Sequence, residues 1–248
     1  MAAAIKLHRH VGRRRAASFL AEGPNLVEAA LRRGLVSEVF ATESAMSRFG
    51  SMLADVSVHL VTERAAKALS DTVTPVGLVA VCSVPEVTLA DVLADAPRLV
   101  AVAVEISEPG NAGTLIRIAD AMGADAVVLA GHSVDPYNGK CLRASAGSIF
   151  SLPVVSEGDA TRAVTALSEA GLQVLATTVD GEVSLDDAEL SQPTAWLFGP
   201  EAHGLPIELA RIATRRVHIP MPGSAESLNV ASAAAICLYQ SARAYRRH

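Results

Sequence analysis

The 248-residue chain reads as an α/β protein built on a mainly parallel sheet, with a smaller α/β domain in front of it. Three observations predict this. Short apolar runs at residues 99–104, 126–130, 172–176, 195–198 and 217–220 alternate with helical stretches. Residues 99–104 are apolar without alternation, as expected of a strand covered on both faces. Residues 83–97 hold two prolines and two aspartates and change the texture of the chain. The expected organisation is therefore a domain over 1–85, a linker over 86–97 and a second domain over 98–248.

The elements follow in order. Residues 25–35 place Leu26, Ala29, Ala30 and Leu35 on one side of an amphipathic helix that ends near Gly34. Residues 39–41 and 56–60 are short strands, 62–69 a helix capped by Thr62, and 77–82 a buried strand. Beyond the linker, helices are expected at 112–122 and 160–170, with strands at 126–130 and 152–155 between them. A long alanine-rich helix over 227–246 closes the series, and no internal repeat is present.

Composition narrows the class. Half the residues are hydrophobic and 19% are charged, which supports a packed core and excludes a wholly disordered chain. No apolar run reaches the roughly 18 residues of a membrane-spanning helix. The basic residues at 1–15 are not followed by an apolar segment and cleavage site, so a cytoplasmic protein is expected. Cys82, Cys141 and Cys237 lie far apart, without metal-like spacing, and read as small core residues in a reducing compartment. No metal is expected.

The net charge of −5 hides an asymmetry. Residues 1–36 carry seven Lys and Arg against two Glu, and the rest of the chain is acidic. A basic end on an acidic protein is either a polyanion-binding segment, with Arg13, Arg14 and Arg15 as the candidate contacts, or an ordinary solvated N-terminus.

Two nucleotide-binding devices are missing. No GxGxxG follows the strand at 99–104, and Leu205 stands where a phosphate-binding loop at 199–205 needs lysine. Three other loop-to-helix segments carry polar residues instead. The first, residues 108–117, leaves a buried strand and opens a helix, with Asn111 as its expected cap and Arg117 on its small, polar side, either meeting a ligand or pairing with Asp120. The second, residues 197–205, runs from a strand into Gly199 and Gly204, which bracket Glu201 and His203. The third, residues 219–230, passes from Ile219 through a proline–glycine loop to Ser227, the expected cap of the last helix, with Leu228 and Asn229 beyond.

In this order and separation, the three segments resemble the signature motifs of the SpoU/TrmH group of SPOUT RNA methyltransferases. The resemblance covers roughly residues 98–246. Residues 19–23 and 74–79 are similar to the ribosomal-protein-like RNA-binding domain that many members carry, and residues 143–148 to a loop that helps shape the family's site. Acidic Glu105 and Glu108 depart slightly from the usual first motif, where aspartates are commoner.

The resemblance implies a trefoil-knotted parallel-sheet domain working as a homodimer, against the general rule that chains are not knotted. It implies S-adenosylmethionine as methyl donor and a ribose 2′-hydroxyl of RNA as acceptor, with ribosomal RNA favoured over tRNA. Matched by motif, Gly199, Ile219 and Leu228 contact the cofactor, while Asn111, Arg117, Glu201, Ser227 and Asn229 fill the polar positions of the active site. A non-catalytic RNA-binding or ribosome-assembly factor on the same fold is the alternative, as is a tRNA methyltransferase. A serine hydrolase using Ser145 or Ser227 with His203 is disfavoured because no GxSxG is present.

Overall fold

The computed structural model describes residues 1–200 and 203–246. The chain begins with a hook: α1 (Ala2–Ile5), a short 3-10 turn, and α2 (His10–Ala16). The hook is tight at Gly12, where a Cβ would stand 2.0 Å from the Lys6 carbonyl oxygen. Then follow β1 (Ser18–Glu22), α3 (Pro24–Arg32), β2 (Val36–Ala41), α4 (Glu43–Phe49), β3 (Val58–Leu60), α5 (Glu63–Ala68) and β4 (Leu78–Ser83). Pro24 starts α3, since its fixed φ suits the first helical position. Thr42 and Thr62 cap α4 and α5, their hydroxyls accepting the Ala45 and Ala65 N–H groups at 3.2 and 3.3 Å. The strands pair in the order β1-β4-β2-β3, with β4 antiparallel to both neighbours.

The second part comprises α6 (Leu89–Ala94), β5 (Leu99–Val104), α7 (Pro109–Ala121), β6 (Ala126–Ala130), α8 (Gly139–Ser145), β7 (Val154–Glu157), α9 (Ala160–Glu169), β8 (Gln173–Thr177), β9 (Val183–Ser184), β10 (Thr194–Phe198), α10 (Ile207–Ile212), β11 (Arg215–His218) and α11 (Val230–Tyr245). Seven strands form one sheet in the order β7-β6-β5-β10-β8-β11-β9, and each pairing is parallel. Alternate residues face opposite cores. On β5, Val100, Val102 and Val104 pack with α6 and α9, while Leu99, Ala101 and Ala103 pack with α7, α8 and α11. Burial on both faces explains the unbroken apolar sequence.

Three expectations change. The segment 86–97 is not an open linker throughout: α6 lies within it and buries Leu89 and Val92 against the sheet. The helix expected at 112–122 starts earlier, because Pro109 takes its first position; Glu108, not Asn111, is its cap. The last helix starts at Val230, and its cap is Asn229 rather than Ser227.

The two parts share a packed interior. The Phe19 ring lies 4.7 Å from Tyr137 and 6.0 Å from Phe150, so β1 is joined to the α8 region. The last helix is fixed at several points. Trp196 Nε1 on β10 donates to Ser241 Oγ on α11 at 2.9 Å. The Tyr245 hydroxyl lies 2.7 Å from the Arg98 carbonyl oxygen and 2.9 Å from that of Gln192, and the Arg98 guanidinium sits 4.3 Å from the Tyr245 ring centre.

Candidate active site

A cleft of about 520 Å³ opens beyond the carboxyl ends of β8, β10 and β11. Ligand sites of open α/β sheets lie at this end of the strands. The three strand exits build it: Thr177 at the end of β8 and Thr178 after it, Gly199 after β10, and Ile219 after β11. Val230 and Ala233, in the first turns of α11, form another wall.

Each loop has a local reason for its shape. At Gly199 a Cβ would fall 2.6 Å from the Leu205 amide nitrogen and 2.7 Å from the Gly204 carbonyl carbon, so the loop can close only on a glycine. Gly204 has φ +66°, a left-handed conformation that glycine adopts freely, and its N–H donates to the Pro200 carbonyl oxygen at 2.9 Å. The third loop ends on Asn229, whose Oδ1 accepts the N–H groups of Ala231 and Ser232 at 3.0 and 3.3 Å. Its Nδ2 donates to Asn111 Oδ1 at 3.1 Å, which ties α11 to the first turn of α7.

The structure thus brings Gly199, Ile219, Leu228 and Ser227 into one lining, and Asn111 and Asn229 into contact beside it. Arg117 stands apart: it is exposed on α7, outside the cleft lining, and no carboxylate among the described residues pairs with it. Glu201 lies outside the described residues. His203 lines the cleft mouth. Glu108 holds the start of α7: its Oε1 accepts the Gly110 N–H at 3.1 Å and meets Lys140 Nζ of α8 at 2.6 Å. Those contacts, the lysine first, hold its carboxyl below the usual glutamate range.

Sequence reasoning missed Thr177, Thr178 and Asp180. The usable signal was their position directly after the apolar run at 172–176, because residues leaving a parallel strand at its carboxyl end face the site. The Thr177 hydroxyl donates to the Leu197 carbonyl oxygen at 2.8 Å, whereas Thr178 Oγ1 is buried without a partner among the described residues.

Of the three expected RNA contacts, Arg14 and Arg15 are exposed on α2, but Arg13 is not available. Arg13 is 5% exposed; its Nε donates to Asp135 Oδ2 at 2.7 Å. Helix α2 packs this side chain inward, so it holds the fold together instead of facing a partner.

The cleft suits an amphipathic nucleoside-sized ligand. Its volume is that of an ordinary small-molecule site. Leu205, Val217, Ile219 and Leu228 supply apolar walls, and the bare backbone at Gly199 allows close approach.

Residues 98–239 match the model of the SpoU rRNA methylase family. The chain belongs to this family. Residues 3–80 match an MRM3-like substrate binding domain. The 23S rRNA (guanosine(2553)-2′-O)-methyltransferase RlmP of Bacillus subtilis (strain 168) is 37% identical over 236 residues, covering 94% of this chain and 92% of that one. The 23S rRNA (uridine(2479)-2′-O)-methyltransferase of Streptomyces viridochromogenes is 42% identical over 142 residues, 55% of this chain and 50% of its own. Among solved structures, the SpoU methyltransferase AviRb from the same organism, in complex with AdoMet, superposes with a TM-score of 0.88 at 30% identity over 97% of this chain and 95% of that one. AdoMet-bound rRNA methyltransferase from Sinorhizobium meliloti gives 0.87 at 30% identity, covering 98% and 93%. As a SpoU methylase, this chain is an RNA methyltransferase, and the two-part α/β architecture read from its sequence is that of its structural neighbours.

Proposed function

We propose that the protein transfers the methyl group of S-adenosylmethionine to a ribose 2′-hydroxyl of 23S rRNA. The observation that carries this is the convergence of Gly199, Ile219 and Leu228 on one cleft, in a chain that matches RlmP of Bacillus subtilis over 94% of its length. When bound, S-adenosylmethionine supplies an electrophilic methyl carbon on a sulfonium.

The protein's own residues have three tasks. Gly199, Ile219 and Leu228 hold the donor, largely by backbone and apolar contact. Asn229, capping α11 and bonded to Asn111, fixes the third loop against α7, with Ser227 beside it on the lining. Arg117 stays cationic, since a guanidinium does not lose its proton at neutral pH, and stabilises the oxyanion developing on the ribose oxygen. Phosphate or water takes the proton, and Glu201 orients Arg117. The reaction calls for no metal. Attack is fast only when oxygen and carbon are held about 3–3.5 Å apart and in line, so positioning is the main task of the fold.

Arg117 lies outside its own cleft lining, which supports a homodimer in which it serves the partner's site. Ile236 and Tyr239 are exposed on α11, at 37% and 54%, and supply an apolar face for such pairing. The implied trefoil knot belongs to the same reading: β10 enters between β5 and β8, and β11 passes to the far side of β8. No helix among the described residues is long and apolar enough to cross a membrane, and action on ribosomal RNA fits a cytoplasmic site. The domain division at 1–85, 86–97 and 98–248 assigns RNA binding to the first part and transfer to the last.

The test is transfer of tritiated methyl from S-adenosylmethionine to unmodified 23S rRNA, followed by mapping of 2′-O-methyl positions. One labelled ribose supports the reading. Label appearing only on tRNA, or none at all, overturns it.

A further inference from the structure

Helix α2 faces two ways. Arg13 points inward, and its Nη1 donates to the carbonyl oxygens of Leu7 and His8 at 2.9 and 3.0 Å while its Nε meets Asp135. Arg14 and Arg15, next along the chain, are exposed and lie in no ion pair among the described residues. Asp135 precedes α8, and its Oδ1 accepts the Tyr137 N–H at 2.9 Å. Both side chains are largely withdrawn from water, at 6% and 16% exposed. A buried ion pair of this kind is a weak source of stability compared with apolar packing. A planar guanidinium bonded to one carboxylate and two carbonyls does, however, admit only one relative placement of its partners.

The contacts continue from this joint to the site. α8 starts at Gly139, where a Cβ would stand 2.9 Å from Asp71 Oδ2 of the N-terminal part. α8 packs on α7 at Gly113, where a Cβ would stand 2.3 Å from the Cys141 carbonyl oxygen and 2.7 Å from Ala144 Cβ. α7 carries Asn111 and Arg117. A run of close contacts without slack thus links the inner face of α2 to the helix that opens the active site.

We propose that Arg13 and Asp135 are a positioning pair: they fix the exposed arginines of α2 at a set distance from α7 and the cleft, and thereby determine which ribose is presented for methylation. The proposal rests on the methyl-transfer reading above. Structured RNA is recognised mostly through shape and phosphates, which carry little base information. Register then comes from the distance between the grip and the reacting centre. Loosening the joint leaves RNA held and the donor bound, but the target oxygen misplaced.

The test compares the full-length protein with Arg13→Lys, Asp135→Asn and the apolar double variant Arg13→Met/Asp135→Leu, which keeps the joint buried without its fork. Thermal melts establish that each variant is folded, and the double variant carries the test if a single variant unfolds. Cofactor affinity, 23S rRNA affinity, single-turnover rate and the mapped 2′-O-methyl positions are then measured. Expected are cofactor and RNA affinities within about twofold of wild type, because neither residue lines the cleft and Arg14 and Arg15 stay exposed. The single-turnover rate falls at least about tenfold, as misplacement of a reacting group predicts, and label spreads to neighbouring riboses. A folded variant with the wild-type rate at a single position overturns the proposal, as does a drop in cofactor affinity that matches the drop in rate. Failure of the wild-type protein to label rRNA overturns the functional reading itself, and the proposal with it.

Discussion

The side-chain amide of Asn229 donates to the side-chain oxygen of Asn111 at 3.1 Å, joining residues 118 positions apart. The orientation of the amide follows from counting donors. Its oxygen already receives the N–H groups of Ala231 and Ser232, so only its nitrogen is left to face Asn111. One side chain therefore both caps the last helix and secures the first turn of α7.

These two roles separate by substitution. Asn229→Ser keeps a capping oxygen but is too short to reach Asn111, so the melting temperature stays near wild type while methyl transfer slows by about tenfold. Asn229→Ala loses the cap as well and costs a further ~1 kcal/mol of stability. Equal melting temperatures for the two variants would argue against the cap.

Gly199→Ala places a methyl group against backbone, not against a side chain that can swing aside. The loop at 199–204 must open to admit it. Calorimetry is expected to show cofactor affinity reduced by about tenfold or more, with the melting temperature falling by roughly 2–12 °C, since overpacking costs ~1–3 kcal/mol.

Arg117→Ala removes a cation that is exposed and unpaired with any described carboxylate. Stability is expected within ~0.5 kcal/mol of wild type. Single-turnover methyl transfer falls by about 10²-fold or more, as for removal of an oxyanion stabiliser, at unchanged cofactor affinity. Full retained activity removes Arg117 from the mechanism.

Arg14→Gln and Arg15→Gln weaken RNA binding and reduce the slope of log affinity against log salt by about 0.7–0.9 for each phosphate that is no longer neutralised. Arg13→Gln acts differently. It strands the half-buried Asp135 carboxylate and lowers folding stability by ~1–3 kcal/mol. Titrations at several salt concentrations, alongside melts, separate the two effects.

Burial pushes the Cys82 and Cys141 thiols up to about 12, and raises Cys237 as well. At pH 8 all three are protonated, hence poor nucleophiles. Native protein is expected to resist a thiol reagent at that pH, whereas unfolded protein reacts at all three positions. Fast labelling of the native form would contradict the buried placement.

Much of this organisation was legible in the sequence because it rests on local signals. The runs at 99–104 and 126–130 became strands over the same residues, since a doubly covered strand is apolar throughout. Thr62 was readable as a cap because capping is decided within one turn. β1 lacks such a signal: five residues, Ser18–Glu22, with a polar residue at each end, become a strand by pairing with β4 some sixty positions away. α6 was hidden by flanking prolines and aspartates, although Thr88 and Asp91 form a reciprocal cap that marks its start. Cleft residues were legible where a glycine or loop marked them. The inward turn of Arg13 was not, since three consecutive arginines look alike until the helix has a neighbour.

The wall that α11 gives the cleft has a consequence for synthesis. Val230 and Ala233 line the cavity, and Ser241 and Tyr245 lock the helix to the sheet. Of the described elements this one leaves the ribosome last. A polypeptide that has formed each strand of the sheet but not yet docked α11 lacks one wall of the cleft.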